Sequence, residues 1–327
     1  MGRLGLLRSP HSSDRVQGLR EARRMKYFMI LAVCVLCFLL PFFVGAYLIH
    51  VLTSIMIFLS LALSWDMMLR TGQLSFGIAG FFGLGAYASI IAVDDFSIDP
   101  LWSILVAAVF AALVALALGW IVLRLREIYF AITTLALSSV FMIFARNLSD
   151  LTGGSAGKVL YESIFKGDSI KIYWLVLSVA LTVILISELF QRTRIRFAIN
   201  AIRDDEIAAK CSGVNIFKYL LFVFVLTSAI QGAVGALYAQ QYAFVEPEST
   251  FSANFLLLPM SMALVGGIYS TLGPIIGAVV LGLASEYLKL IMPYGHLIIY
   301  GLILIFTIMF LPRGIYGTIA NKIVVKR

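Results

Sequence analysis

The sequence is short of charge. Asp, Glu, Lys and Arg make up 13% of its 327 residues, whereas soluble globular domains carry roughly a quarter. The mean hydropathy is +0.99, and apolar runs of about 20 residues, each long enough to cross a bilayer core, recur along the chain. These runs are uninterrupted, whereas membrane β-barrels show alternating segments of about 10 residues. We therefore predict an all-α, polytopic membrane protein.

Cysteine and histidine are also scarce. Cys34 and Cys37 lie within the first apolar run, and Cys211 lies in a charged loop. No CxxC pair meets a second Cys or His pair, which argues against a zinc site and against a disulfide framework. The three histidines, at 11, 50 and 296, are scattered. We expect no metal site.

Motifs for nucleotide binding and catalysis are missing. The sequence has no GxxxxGK[ST] phosphate loop, no GxSxG and no HExxH. The run GFFGLG at 80–85 is not a GxGxxG fingerprint, and it lies inside an apolar segment rather than after a strand. We therefore predict a chain that is not an enzyme and binds no cofactor itself.

The apolar runs predict about ten transmembrane helices. An N-terminus on the inner side places most of the basic residues in inner segments, as the positive-inside rule requires, and both termini are then cytoplasmic. A long leader and a long first run favour an uncleaved span over a signal peptide. The net charge of +8 follows from this topology and implies no nucleic-acid partner. The expected spans are 27–46, 48–69, 73–92, 101–123, 129–147, 172–190, 219–241, 254–268, 273–292 and 297–312.

The predicted domain organisation is simple. Residues 1–26 form a basic cytoplasmic tail, 27–312 the transmembrane domain, and 313–327 a second basic cytoplasmic tail. The largest inner loop is 191–217. Within it, the run FAINAIRDDEIAAKCSG gathers five charged residues in eight positions.

This charged loop predicts an amphipathic helix. Ala198, Ile199 and Ile202 share one side of it, and Gly213 is placed to end it. Such a helix can rest on lipid or contact a protein. Because the inner leaflet is anionic, three consecutive acids favour a protein partner. The charged residues are Arg203, Asp204, Asp205, Glu206 and Lys210.

Small and polar residues mark two of the expected spans. Gly77, Gly80 and Gly83 make one side of the third span small, which suits either close helix packing or a loosened backbone beside a solute route. The fifth span carries hydroxyls that either bond back to their own helix or line the same route. These hydroxyl residues are Thr133, Thr134, Ser138 and Ser139.

Few charges lie inside or at the edges of the expected spans, and apart from Glu188 at the inner end of the sixth span the notable ones occur in pairs. Asp66 and Arg70 are four residues apart, and Glu286 and Lys289 are three apart, so each pair can form along its own helix. No unpaired acid lies near the expected midplane. This pattern argues against an ion-coupled secondary carrier, in which such an acid is typical.

Five blocks, in this order, resemble one family. Together they are similar to the permease subunits of ATP-binding-cassette importers for branched-chain amino acids, most closely the LivM type, and the resemblance covers roughly residues 45 to 312. Urea and short-amide permeases share much of the pattern. The blocks are GQLSFGIAGFFGLGAYAS, YFAITTLALSSV, DLTGGSAG, AIRDDEIAAKCSGVNIFKYLLFVFVLTSAIQGAVGALYA and LVGGIYSTLGPIIGAVVLG.

The resemblance implies a multi-subunit assembly. It comprises two permease subunits, which the family favours as different chains, two cytoplasmic ATPase subunits that use ATP, and an extracytoplasmic solute-binding protein. It also implies a bacterial cytoplasmic (inner) membrane location. The run DEIAAKCSG matches the family's inner signature, which docks on the ATPase. The ATPase-coupling residues are then Arg203, Asp204, Asp205, Glu206, Ala208, Ala209 and Gly213, and the translocation-path residues Gly77, Gly80, Gly83, Thr133, Thr134 and Ser138.

Three positions depart from the family pattern. Asp66 stands where Asn is frequent, Arg70 where Gly is usual, and Ile78 where a polar residue is common. The substrate range therefore stays open. The rival hypotheses are a urea or amide importer permease, an ion-coupled secondary carrier of amino acids, and a membrane scaffold without transport.

Overall fold

The computed structural model describes residues 35–291 and, beyond them, helical positions 299, 301–302, 305–306, 309–310 and 314–318. The chain divides into two units, Met1–Ala46 and Tyr47–Arg327. The described part of the first unit is helical at 35–39 and continues as a 3-10 turn at Leu40–Phe42.

Helices account for most of the described second unit. Short 3-10 turns lie at Gly154–Ala156 and Ile164–Gly167, and a two-stranded antiparallel sheet pairs β1 (Lys158–Val159) with β2 (Phe244–Val245). The helices are α1 (Ala46–Leu69), α2 (Ile78–Asp94), α3 (Pro100–Val122), α4 (Glu127–Asn147), α5 (Ser149–Thr152), α6 (Ser169–Arg192), α7 (Ile195–Asp204), α8 (Glu206–Cys211), α9 (Ile216–Tyr242), α10 (Pro247–Thr250), α11 (Asn254–Gly266) and α12 (Leu272–Ile291).

Seven described segments are long and apolar enough to cross a membrane, with α10 and α11 counted together as Pro247–Gly266. An eighth apolar segment, α2, has 17 residues and is shorter than these seven. These eight segments correspond to the second through ninth expected spans, so the prediction of an all-α polytopic membrane protein is confirmed. The first and tenth expected spans, 27–46 and 297–312, lie partly or mostly outside the described residues.

The third expected span begins later than predicted. Residues 73–77 are not helical, and α2 starts at Ile78 rather than at 73. Two contacts hold this segment away from helical geometry: the Trp65 Nε1–H group donates to the Ser75 carbonyl at 3.0 Å, and the Phe76 amide donates to Thr134 Oγ1 at 2.9 Å. Trp65 is ten residues from its partner, but Thr134 is 58 residues from Phe76, so the start of α2 depends on a tertiary contact.

Helix α9 packs against both α2 and α3. Glycines permit this arrangement, because the Gly85 backbone lies directly against Gly232, and Gly235 lies against the Phe82 carbonyl. Small residues let helices approach closely where lipid supplies no hydrophobic driving force. The side of α3 that faces away from the other helices is apolar and exposed, as expected for contact with lipid or another subunit. It includes Trp102, Leu113 and Trp120.

Long-range contacts agree with the alternating orientation of the helices. Arg126 pairs with Glu206, and both belong to ends predicted to be cytoplasmic. Lys158 pairs with Asp95 and Arg146 with Glu248, all at ends predicted to be external. Each pair therefore joins segments that the predicted topology places on the same side.

Candidate functional site

The charged loop at 191–217 folds as two short helices rather than one. We expected a single amphipathic helix in this loop, but α7 ends at Asp204 and α8 begins at Glu206. Asp205 separates them in an extended conformation, and its Oδ1 accepts the amides of Ile207 at 2.8 Å and Ala208 at 3.0 Å. Asp205 is therefore the N-cap of α8, a position at which aspartate is strongly preferred.

The apolar side of α7 is buried as predicted. Ala198, Ile199 and Ile202 are 9%, 1% and 6% exposed, and the two isoleucines belong to a cluster with Phe190 and Phe224. This burial orients the opposite side of α7 and most of α8 toward the surrounding medium. The two helices thus form an exposed surface, which we call the α7–α8 face (residues 195–213).

Each of the three consecutive acids has a partner within the chain. Arg203 pairs with Asp204 at 3.0 Å, Asp205 caps α8, and Glu206 forms a half-exposed ion pair with Arg126 from the preceding inner loop. The carboxylates of Asp204 and Glu206 remain 68% and 38% exposed. They therefore keep surface available to a second protein.

The other predicted coupling residues divide between packing and exposure. Ala209 is buried, while Ala208 is exposed. Gly213 has φ +81°, and its amide donates to the Lys210 carbonyl while the following Val214 amide donates to the Ala209 carbonyl. These bonds end α8 in the manner of a glycine C-cap, for which the left-handed conformation suits glycine.

Two exposed apolar residues on the α7–α8 face were missed. Phe197 is 75% exposed and Ile207 is 77% exposed, and each directly follows a charged residue. Exposed aromatic and aliphatic side chains are typical of protein contact surfaces. The signal was present in the sequence, as apolar residues that do not fall on the buried side of the predicted helix.

A buried network leads from this face into the helical core. The Arg203 guanidinium stacks over the Tyr269 ring at 4.7 Å, and the Tyr269 amide donates to Asp66 Oδ1 at 2.6 Å. Asp66 is fully buried and pairs with Arg70, which is 5% exposed. The network therefore connects α7, the 267–271 loop and α1.

Arg70 extends the same network to α6 and, through it, makes a second connection to the 267–271 loop. Its guanidinium donates to Ser187 Oγ of α6 at 3.1 Å, and Ser187 in turn bonds Thr271 at 3.0 Å. Buried charges are costly unless they are paired and hydrogen-bonded. Here the predicted self-pairing of Asp66 and Arg70 is observed, together with partners that the sequence did not indicate.

The glycines and hydroxyls predicted to line a route meet each other. Ser138 Oγ accepts the Gly80 amide at 3.1 Å, just as Thr134 accepts the Phe76 amide, so α4 supplies acceptors for one amide in the first turn of α2 and one just before it. A Cβ on Gly80 would lie 2.7 Å from Ser138 Oγ, and one on Gly83 would lie 2.3 Å from the Phe251 ring.

The other glycine and hydroxyl residues predicted to line the route lie at or beside the same contact between α2 and α4. Gly77 lies against Thr134, where an added Cβ would be 3.3 Å from the threonine Cβ. Thr134 and Ser138 also bond back to carbonyls of their own helix. Thr133 is half-buried and Ser139 exposed. We call this closely packed contact between α2 and α4 the glycine–hydroxyl seam (Gly77, Gly80, Thr134 and Ser138).

Comparison with known proteins identifies the family. The family described as "Branched-chain amino acid transport system / permease component" matches residues 47–308. The chain belongs to this permease family.

Individual relatives agree with this assignment. The permease is 28% identical over 324 residues to the "High-affinity branched-chain amino acid transport system permease protein LivM" of Escherichia coli (strain K12), which covers 89% of this chain and 75% of the relative. It is 29% identical over 274 residues to the LivH protein of the same description from Salmonella typhimurium (strain LT2), covering 75% of this chain and 86% of the relative. No solved structure matches the permease.

At the end of the permease that is predicted to be external, two loops are paired with each other. Residues 148–171 and 243–253 meet through the β1–β2 pair, and Arg146 pairs with the exposed Glu248 at 2.7 Å. Asp168 caps α6, and the hydrogen bond donated by the Lys171 amide lowers the pKa of the Asp168 carboxyl. The two loops therefore present one continuous outer surface.

The permease also has a polar cavity of about 450 Å³ that sequence reasoning missed. It lies between α1, the outer end of α9, residues 249–258 and α12. Its polar lining includes Ser54, Ser252, Asn254, Glu286 and Lys289, and its apolar wall includes Phe58, Phe255 and Leu258. Only the Glu286–Lys289 pair was apparent in the sequence, because the other contributors come from helices far apart along the chain.

Among the described residues, no group of three or more His, Cys, Asp or Glu side chains could hold a metal ion. The polar groups of the permease instead form ion pairs, helix caps and hydroxyl contacts, as described for the α7–α8 face and the seam. Such groups support binding and conformational coupling.

Proposed function

We propose that this permease forms one half of the translocation pore of an ATP-binding-cassette importer and passes branched-chain amino acids across a bacterial cytoplasmic membrane. The solute class is the one named for its relatives, the LivM and LivH proteins. The observation that carries the proposal is the exposed, charged α7–α8 face, which lies within a family match that spans residues 47–308.

In this proposal, energy enters from outside the chain. Two cytoplasmic ATPase subunits bind and hydrolyse ATP, and each permease docks its α7–α8 face on one of them. Asp204, Glu206 and Ile207 supply exposed contact groups. The stack of Arg203 on Tyr269 then carries the movement to the buried Asp66–Arg70 pair.

The remaining subunits and the topology complete the proposal. A second permease, most simply a different chain, supplies the other half of the pore. An extracytoplasmic solute-binding protein docks on the outer surface formed by 148–171 and 243–253. The permease has about ten spans with both termini cytoplasmic, and lipid surrounds it.

The glycine–hydroxyl seam and Gly83 border the proposed route. In the closed arrangement the seam hydroxyls hold the Phe76 and Gly80 amides. Separation of α2 from α4 would free these amides and hydroxyls for a polar solute. Thr133, half-buried beside the seam, would be exposed by the same movement.

The decisive experiment tests Glu206 in the reconstituted importer. Glu206→Lys is expected to abolish solute-stimulated ATPase activity and to lower uptake at least about tenfold, since charged contacts are worth about 1.5–3 kcal/mol. ATPase activity and uptake would be measured in proteoliposomes that contain all the subunits.

The matched control exchanges the two charges of the local ion pair. Arg126→Glu combined with Glu206→Arg keeps the pair within the chain but reverses the charge shown to a partner. Coupling should stay lost in this double variant, and its recovery would mean that Glu206 serves only Arg126. Uptake by the chain alone, driven by an ion gradient without ATPase subunits, would contradict the importer proposal.

A further inference from the structure

The outer polar cavity brings opposite charges together beside an apolar wall. Glu286 Oε1 and Lys289 Nζ are 2.6 Å apart on one turn of α12, with side chains 23% and 42% exposed. Ionisable residues within spans are rare, and they mark functional sites when they face a cavity. This pair faces the cavity rather than a sealed interior.

The pair matches the charges of an α-amino acid. Such a solute carries an ammonium and a carboxylate on one carbon, and a cavity that accepts it must compensate both charges, since burying an unpaired charge is costly. A glutamate can take the ammonium and a lysine can take the carboxylate. Ser54 and Ser285 in the same lining add hydroxyls that serve either group.

The apolar residues of the same lining suit an aliphatic side chain. Phe58 and Phe255 stack with their ring centroids 5.8 Å apart, and Leu258 lies in the same lining. Small-molecule sites typically combine such an apolar wall with a few polar groups in a volume of about 300–1,000 Å³. The cavity volume of about 450 Å³ falls in that range.

The cavity also lies where an incoming solute would arrive. Glu286 and Lys289 lie close to the outer end of α12, which finishes at Ile291. Ser249 and Ser252, from the outer segment that follows β2, belong to the same lining. The charged pair therefore lies close to the outer surface at which a solute would be released.

From these observations we infer that the cavity is a binding site for zwitterionic aliphatic amino acids, in which Glu286 takes the ammonium and Lys289 the carboxylate. The inference rests on the proposed function for the solute class. The site itself is assigned by the placement of the pair, the hydroxyls and the aromatic wall.

The first test measures binding to the full-length permease in lipid nanodiscs. Leucine is expected to raise the midpoint temperature of unfolding, whereas leucinamide, which lacks the carboxylate, and 4-methylpentanoate, which lacks the ammonium, should produce little shift. Glu286→Gln should weaken leucine binding about tenfold, as expected for the loss of one charge-assisted contact. The absence of a leucine-dependent shift in the wild-type permease would overturn the inference.

The second test separates a binding role of the pair from a structural one. The charge-swapped variant Glu286→Lys/Lys289→Glu keeps an ion pair at the same spacing, and we expect its leucine binding and uptake to stay low. Recovery to the wild-type level would show that the pair only stabilises α12. Glu188→Gln breaks a comparable pair with Arg192 at the other end of the bundle, and it should leave leucine binding unchanged.

Transport measurements distinguish this inference from the proposed function. Leucine binding that is lost in Glu286→Gln, in an assembly that carries no amino acid, would support the site and contradict the importer proposal. Leucine uptake that is unchanged in Glu286→Gln would support the importer and overturn the site.

Discussion

The buried Asp66–Arg70 pair shows how single residues depend on each other in this permease. Asp66 accepts from Arg70 and from the Tyr269 amide, and Arg70 also donates to Ser187. Each charge is therefore compensated by the other and by neighbours. Loss of one partner leaves the other as a buried, uncompensated charge.

Substitution of Asp66 tests this dependence. Asp66→Asn keeps an acceptor for the Tyr269 amide but removes the charge opposite Arg70. The free energy of unfolding should therefore fall by about 3–5 kcal/mol. The double variant Asp66→Asn/Arg70→Met removes both charges, and it should regain most of that loss. Thermal unfolding in detergent would measure both variants. A double variant as unstable as the sum of its single changes would contradict mutual compensation.

The contact between α2 and α9 is a close helix crossing at which two glycines face each other. A Cβ on Gly85 would lie 2.1 Å from the Gly232 carbonyl oxygen, and both are backbone positions within helices. Neither helix can shift without disturbing its other contacts. At Gly119 of α3, by contrast, a Cβ would meet the end of the flexible Leu221 side chain at 2.6 Å.

This difference predicts unequal effects of the same substitution. Gly85→Ala should destabilise the permease by about 1–3 kcal/mol or more, since overpacking a closely packed contact has that range. Gly119→Ala should have a much smaller effect, because the leucine end can change rotamer. Yield of folded protein and midpoint temperature would compare the two. Equal losses would mean that the crossing tolerates more separation than the structure indicates.

Sequence reasoning located the central helices but not all of their ends. Apolar runs and flanking basic residues are local signals, and eight expected spans correspond to described helices. The start of α2 depends on Thr134 and Ser138, each 58 residues away from the amide it binds. No local pattern carries that information.

The same distinction holds for the candidate sites. The buried side of α7 and the C-terminal role of Gly213 follow from helical periodicity and glycine conformation, and both were predicted. The break at Asp205 was missed, although aspartate before a helical run is a readable N-cap signal. The outer cavity could not be predicted, because Ser54 and Glu286 meet only through the packing of α1 near α12.

The molecule as a whole has a predicted orientation that one native cysteine can test. Cys211 at the end of α8 is free and exposed. In a background with Cys34→Ser and Cys37→Ser, a membrane-impermeant maleimide should label Cys211 in inside-out vesicles and not in right-side-out ones. Tyr161→Cys, at an outer position that is 87% exposed, should show the opposite pattern when Cys211 is also replaced by serine. Labelling of Cys211 in right-side-out vesicles, and not in inside-out ones, would contradict the predicted topology.

The Asp66–Arg70 pair also bears on how the chain enters the membrane during synthesis. Ser187, Tyr269 and Thr271, which complete the network, are made more than a hundred residues after α1. Two isolated charges in α1 would meanwhile oppose its insertion. Because they are four residues apart on one helix, they can neutralise each other as soon as α1 forms. The helix can thus be inserted early and receive its remaining partners only when the last helices arrive.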